Sequence, residues 1–149
     1  MSAAGDAPHA AATLERVCLH EYAHCVLAFA LGAAGFVRIA RVLDAAPSAV
    51  RYAGAFQMHG ALADRDWRIV ALAGTLAEWL ADDHALDAAA AHGRLAGEAD
   101  ALAASDAALA AGYDLCDVQR CLALLREHWD AVIAQARGRA DAVRGGTAG

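Results

Sequence analysis

The sequence predicts a single α+β domain, mostly helical, with a short β-hairpin beside the first helix. Three observations carry this expectation. Apolar residues recur at three- and four-residue spacing along most of the chain. Two short runs between residues 36 and 58 alternate instead. Alanine, the strongest helix former, supplies much of the 59% hydrophobic fraction, and only three each of Trp, Tyr and Phe are present, so the core is expected to be thin and helix-rich. A length of 149 residues suits one domain with a sizeable core.

Residues 1–12 are small and polar and are expected to be a disordered N-terminus. A helix then runs from Thr13, its N-cap, to Leu31. Val17, His20, Glu21, His24, Ala28 and Leu31 share one side of it, and Gly32 and Gly35 stop it. "FVRIARVLD", Phe36 to Asp44, alternates like a strand. A turn at Pro47 follows, and "VRYAGAFQM", Val50 to Met58, makes a second strand. Gly54 within it marks a bulge or a close backbone approach.

Asp64 opens a second helix that ends near Asp83, with Trp67, Val70, Ala71, Gly74 and Ala77 at helical spacing. Gly74 costs about 1 kcal/mol relative to Ala inside a helix, so close packing is expected there. His84 to Gly97 is Ala-rich with polar breaks and reads as a loop or frayed helix. "DALAASDAALAAG", from Asp100, is helical and stops at Gly112. Asp117 then caps a last long helix to about Ala142, with Val118, Leu122, Leu125, Trp129, Val132 and Ala136 toward the core. The globular part spans residues 13–143, and residues 144–149 form a disordered tail. No internal repeat or linker divides the chain.

Charge excludes some functions. A net charge of −6 and a pI near 5.5 lack the basic footprint of a nucleic-acid binder, and no polybasic run suggests a membrane surface. The longest apolar run, Cys25 to Val37, is about 13 residues and too short to span a bilayer. The N-terminus has no signal-peptide pattern. Cys18, Cys25, Cys116 and Cys121 form no C-x-x-C pair. Free thiols in a reducing compartment are expected, hence a cytoplasmic protein.

The chemistry lies in "HEYAH": His20, Glu21 and His24 form H-E-x-x-H. Residues four apart share a helix face, so both imidazoles can reach one metal ion. Glu21 leans toward a metal-activated water, which zinc brings to a pKa of about 7. This is the arrangement of a zinc peptidase, with Glu21 as general base and then proton donor. The flanking Val17, Cys18, Tyr22, Ala23, Cys25 and Val26 are uncharged. Two imidazoles and a carboxylate on a half-buried turn are costly unless paired or metal-bound. The opposing reading is a surface helix that carries two histidines by chance.

A catalytic zinc takes three protein ligands and keeps one position open. Leu27 and Ala30 stand where a metzincin needs Gly and His, which excludes that extension. Glu78, with Asp82 four residues on, has a thermolysin-like spacing. Asp100 and Asp106 are the later candidates. Glu78 also suits a different task, accepting the other N–H of a ligand histidine. His59, His84 and His92 read as exposed or loop histidines, and His128 as a partner of Trp129. Arg38 and Arg41 read as outward strand residues. The second strand is a candidate edge for pairing with an extended peptide.

The order "HEYAHCVLAFALGA", "FVRIARV", "VRYAGAFQM", "VALAGTLAEWL" and "ASDAALAAG" resembles the peptidase domain of the FtsH-type zinc metallopeptidases, over roughly Leu14 to Trp129. The resemblance implies a zincin-like fold with Zn²⁺ held by His20, His24 and Asp106, and Glu21 as the catalytic base. It implies hydrolysis of peptide bonds in a peptide or unfolded-protein substrate. The stretch between "AE" and the Asp is longer than the family pattern and filled with Ala. No G-x-x-x-x-G-K-[ST] is present, so no ATP-binding motif accompanies the peptidase and flexible or unfolded substrates are expected. The alternative is a zinc-stabilised binding or regulatory domain that reuses the fold without turnover.

Overall fold

The computed structural model describes residues 13–42 and 51–146. The expected N-terminal disorder, the Pro47 turn and the last three residues lie outside these. The described chain runs α1 (Leu14–Ala30), β1 (Ala34–Val42), β2 (Arg51–His59), α2 (Asp64–Asp82), α3 (Ala88–Gly97), α4 (Ala104–Ala110), α5 (Leu115–Glu127) and α6 (Trp129–Arg144). It is a mostly helical α+β structure with one two-stranded antiparallel sheet among the described residues. None of its helices is long and apolar enough to cross a membrane.

The Thr13 hydroxyl caps α1 by accepting from the Arg16 amide at 3.2 Å. Burial runs round α1 rather than along one side: Val17, Cys18 and Leu19 are consecutive and all buried. The single-faced helix expected from the motif is therefore too narrow a picture. The sheet, α2 and α6 all pack on α1. The Gly32 turn, with φ at +100°, ends it and sends the chain into β1.

The strands pair from Ala34 opposite His59 to Val42 opposite Arg51 without interruption. Gly54 pairs in register with Ile39, so it marks no bulge. A Cβ at Gly54 would stand 2.6 Å from Glu21 Cγ and 2.7 Å from Val17 Cγ1, so it is the close approach of sheet to helix. Ile39 and Tyr52 pack against Leu14 and Cys18, while Phe56 and Met58 pack against Ala28 and Val70.

Helix α2 is the centre of the main core. Every residue from Ile69 to Ala77 is buried, as are Trp79 and Leu80, which is the pattern of a helix surrounded by protein. Its cap is Ala63, with Asp64 and Asp66 in the first turn near the positive end of the helix dipole.

Four expectations are corrected in the second half. The stretch read as a loop or frayed helix contains α3, capped by Asp87, whose side chain accepts from the Ala90 amide at 2.8 Å. Ala91 and Leu95, one turn apart, bury against the core. The helix expected from Asp100 begins only at Ala104, because Ala103 is extended and the Thr75 hydroxyl ties down the Ala101 carbonyl at 3.1 Å. The last long helix is two helices that meet at His128, and the second continues to Arg144. This division lets α5 pack on α2 while α6 packs on α1. Asp114, not Asp117, caps α5, and Asp117 closes a capping box with it.

Asp117 is fully buried, yet charged groups meet it: Arg68 Nε at 2.9 Å and Arg65 Nε at 3.5 Å. Burial pushes its carboxyl pKa up, but the Arg68 hydrogen bond and the Asp114 amide outweigh this and hold it below the usual range. Asp117→Ala removes half of the capping box and is expected to cost about 1 kcal/mol. At this chain length that lowers the thermal midpoint by about 3 °C, readable by calorimetry.

Candidate metal centre

Four side chains from two helices form the centre. His20, Glu21 and His24 lie on α1, and their potential ligand atoms stand within 4.8 Å of one another. Asp106 comes from the first turn of α4. Its Oδ2 lies 3.2 Å from His20 Nε2 and 3.4 Å from His24 Nε2. The two imidazole rings stand edge to face, with centroids 4.8 Å apart.

The opposite ring nitrogens are engaged elsewhere. His24 Nδ1 lies 2.6 Å from the Val70 carbonyl oxygen. A carbonyl only accepts, so Nδ1 carries a proton and donates it, and Nε2 is the nitrogen turned toward Asp106. His20 Nδ1 lies 2.7 Å from Glu78 Oε2 and donates to it. Both rings are thus held with Nε2 toward the same point, the arrangement that ligand histidines need.

The donor set fits zinc. Two ligands about 2.0–2.1 Å from a tetrahedral ion stand about 3.3 Å apart. The separations from Asp106 Oδ2 to the two Nε2 atoms, 3.2 and 3.4 Å, match that edge. Two nitrogens and one carboxylate oxygen are the kind and number of protein ligands that a catalytic zinc takes.

Glycine makes the site possible on two sides. A Cβ at Gly74 would stand 2.5 Å from His20 Nε2, so the ring lies directly on the α2 backbone. This is the close packing expected at Gly74, with a histidine ring as the packing partner. A Cβ at Gly54 would come within 3.0 Å of Glu21 Oε2. Phe56 stacks on His24, centroids 6.2 Å apart and planes 16° from parallel.

These groups line a cleft of about 560 Å³. One wall is β2 from Gly54 to Met58. Trp67, Val70, Ser105 and Leu109 line the rest. Among the described residues β2 pairs with β1 alone.

Burial pushes the His20 pKa down, but hydrogen bonds to Asp106 and Glu78 outweigh this and raise it to about 10. Burial pushes Asp106 up, and the His20 and His24 hydrogen bonds pull it well below the usual carboxylate range. Glu21 is raised: burial dominates over the opposing pull of His20 and His24. A raised carboxyl on the wall of a cleft suits proton transfer.

The other candidates fall elsewhere. Asp100 sits in the exposed turn between α3 and α4. Glu78 meets the Nδ1 side of His20, away from Asp106. His84, not His128, stands against Trp129, centroids 6.0 Å apart, while His128 pairs with Glu127. His59 stacks on Phe36, and His92 meets Tyr113 edge to face. Sequence reasoning missed the Val70 carbonyl and Phe56. It also missed Arg16, whose guanidinium Nε lies 3.3 Å from Glu78 Oε1, although four-residue spacing to His20 was visible. No family model matches the chain, and no curated protein matches it either.

Gly74→Ala gains about 1 kcal/mol in helix propensity but drives a methyl into the His20 ring. The expected result is a metal-free protein of lower thermal midpoint, because the displaced ring loses its Glu78 and Asp106 partners, and one that binds Zn²⁺ at least about tenfold more weakly by chelator competition. The pH dependence has a defined sign. The raised His20 pKa stabilises the metal-free fold fully below about 6.5, and this contribution is lost as pH rises through about 10. The metal-free thermal midpoint is therefore expected to fall across that window. Zinc binding displaces the same proton, so calorimetry in buffers of different ionisation enthalpy should register proton release there.

Proposed function

We propose that this protein is a zinc-dependent metallopeptidase with a zincin-like fold, akin to the FtsH-type peptidase domain. It hydrolyses peptide bonds in flexible or unfolded polypeptides, acts without ATP in this chain, and works in the cytoplasm. The observation that carries this reading is the convergence of His20 Nε2 and His24 Nε2 on Asp106 Oδ2 at zinc-ligand spacing, with Glu21 alongside.

His20, His24 and Asp106 would hold the ion. When bound, zinc supplies Lewis acidity that polarises a scissile carbonyl and acidifies water. Glu21 accepts the proton of the attacking water and passes it to the leaving amine. Its raised pKa favours holding that proton between the two transfers. Val70 and Glu78 keep the two rings in the required tautomer and orientation. The β2 wall offers main-chain groups to an extended segment, and Phe56, Met58 and Leu109 offer apolar surface to its side chains.

Glu21→Gln is expected to keep zinc and fold while lowering cleavage of an unfolded protein such as casein at least about 100-fold. Elemental analysis should find one zinc per wild-type chain, lost in Asp106→Ala and kept in Asp100→Ala. No zinc in wild type after exposure to Zn²⁺ would sink the proposal. Zinc without cleavage of varied unfolded substrates would instead favour a metal-stabilised binding domain.

A further inference from the structure

The structure extends the centre by one step that the peptidase reading does not contain. Arg16 and His20 are one turn apart on α1, and Glu78 and Asp82 are one turn apart on α2. The two pairs face each other across the helix interface. The Arg16 guanidinium forks onto Asp82, Nη1 to Oδ1 at 2.7 Å and Nη2 to Oδ2 at 3.1 Å. That fixes its plane and aims the remaining Nε at Glu78 Oε1, 3.3 Å away. The other Glu78 oxygen accepts from His20 Nδ1 at 2.7 Å. Asp82, Arg16, Glu78 and His20 thus form one continuous chain that ends on a zinc ligand.

We infer that Arg16, oriented by Asp82, is a positioning residue that tunes the metal centre through Glu78. The inference rests on the zinc reading above. Exposed ion pairs contribute little to stability on their own, and the Asp82 side chain is 60% exposed. A bidentate guanidinium is nevertheless a rigid directional donor. Glu78 is partly open to water, with its side chain 23% exposed. Its carboxylate is held by Arg16 on one oxygen and by His20 on the other. Removing Arg16 frees one end of Glu78 and lets it turn toward solvent. The His20 ring then loses the acceptor that fixes its orientation and supports its basicity as a ligand.

The test measures Zn²⁺ affinity by chelator competition for wild type, Arg16→Met, Glu78→Gln and the double variant. The visible spectrum of each protein loaded with Co²⁺ and the thermal midpoint of each metal-free form are recorded alongside. Arg16→Met is expected to weaken binding about tenfold and to shift the Co²⁺ bands, with little change in the metal-free midpoint. In the double variant Arg16→Met should add almost nothing to Glu78→Gln, because both act through the same carboxylate. Asp82→Asn should shift affinity in the same direction by less, and it decides the matter if Arg16→Met fails to fold. Unchanged affinity in Arg16→Met, unchanged affinity in Glu78→Gln, or additive losses in the double variant would each overturn the inference and leave the zinc centre standing. A wild type that takes up no Zn²⁺ would remove both.

Discussion

The contact between the His20 ring and the backbone of α2 is the constraint on which the rest depends. The ring can lie there only because residue 74 has no Cβ. Once there, its Nδ1 meets Glu78 one turn further along the same helix. His24, one turn along α1, then reaches the Val70 carbonyl, one turn before Gly74. Two parallel steps of one helical turn on facing helices thus hold both imidazoles. A buried imidazole without partners would be costly. Here each ring has its outer nitrogen satisfied, and its inner nitrogen points to a common centre.

The remaining elements complete that centre from other directions. The sheet crosses α1 at Gly54, where it can approach Glu21 closely, and brings Phe56 over His24. Helix α4 is short, but its late start places Asp106 in its first turn, beside both Nε2 atoms. Asp106 is held there by the same electrostatics that depress its pKa. The Asp106 carboxylate and the His20 imidazole stabilise each other's charged form through their hydrogen bond.

Much of the fold was legible because its elements carry strong local signals. The Thr13 cap, the Gly32 stop and the two alternating runs located α1 and the hairpin within about two residues. The Ala-rich second half was read less well. Alanine favours a helix everywhere and marks no end, so the α3 stretch reads as either a loop or a frayed helix and α4 reads too long. What set those boundaries was the Asp87 cap, the burial of Ala91 and Leu95, and the tie from Thr75 to Ala101. The break at His128 has no Pro or Gly to announce it. It follows from α5 and α6 packing on different partners.

The sequence by itself determined the chemistry that α1 carries. Helical periodicity alone puts His20 and His24 on one face, with Glu21 beside them. It also determined that Gly54 and Gly74 needed a reason, since glycine inside a strand or helix is otherwise a cost. Tertiary structure alone decided which later carboxylate meets the imidazoles. Asp100 and Asp106 differ little in local sequence, and their separation into an exposed turn and a half-buried site depends on where α4 begins. It also decided which nitrogen of each ring is free and joined Arg16 to Glu78. Those relations span 46 to 86 residues of chain, a range over which local periodicity carries no information.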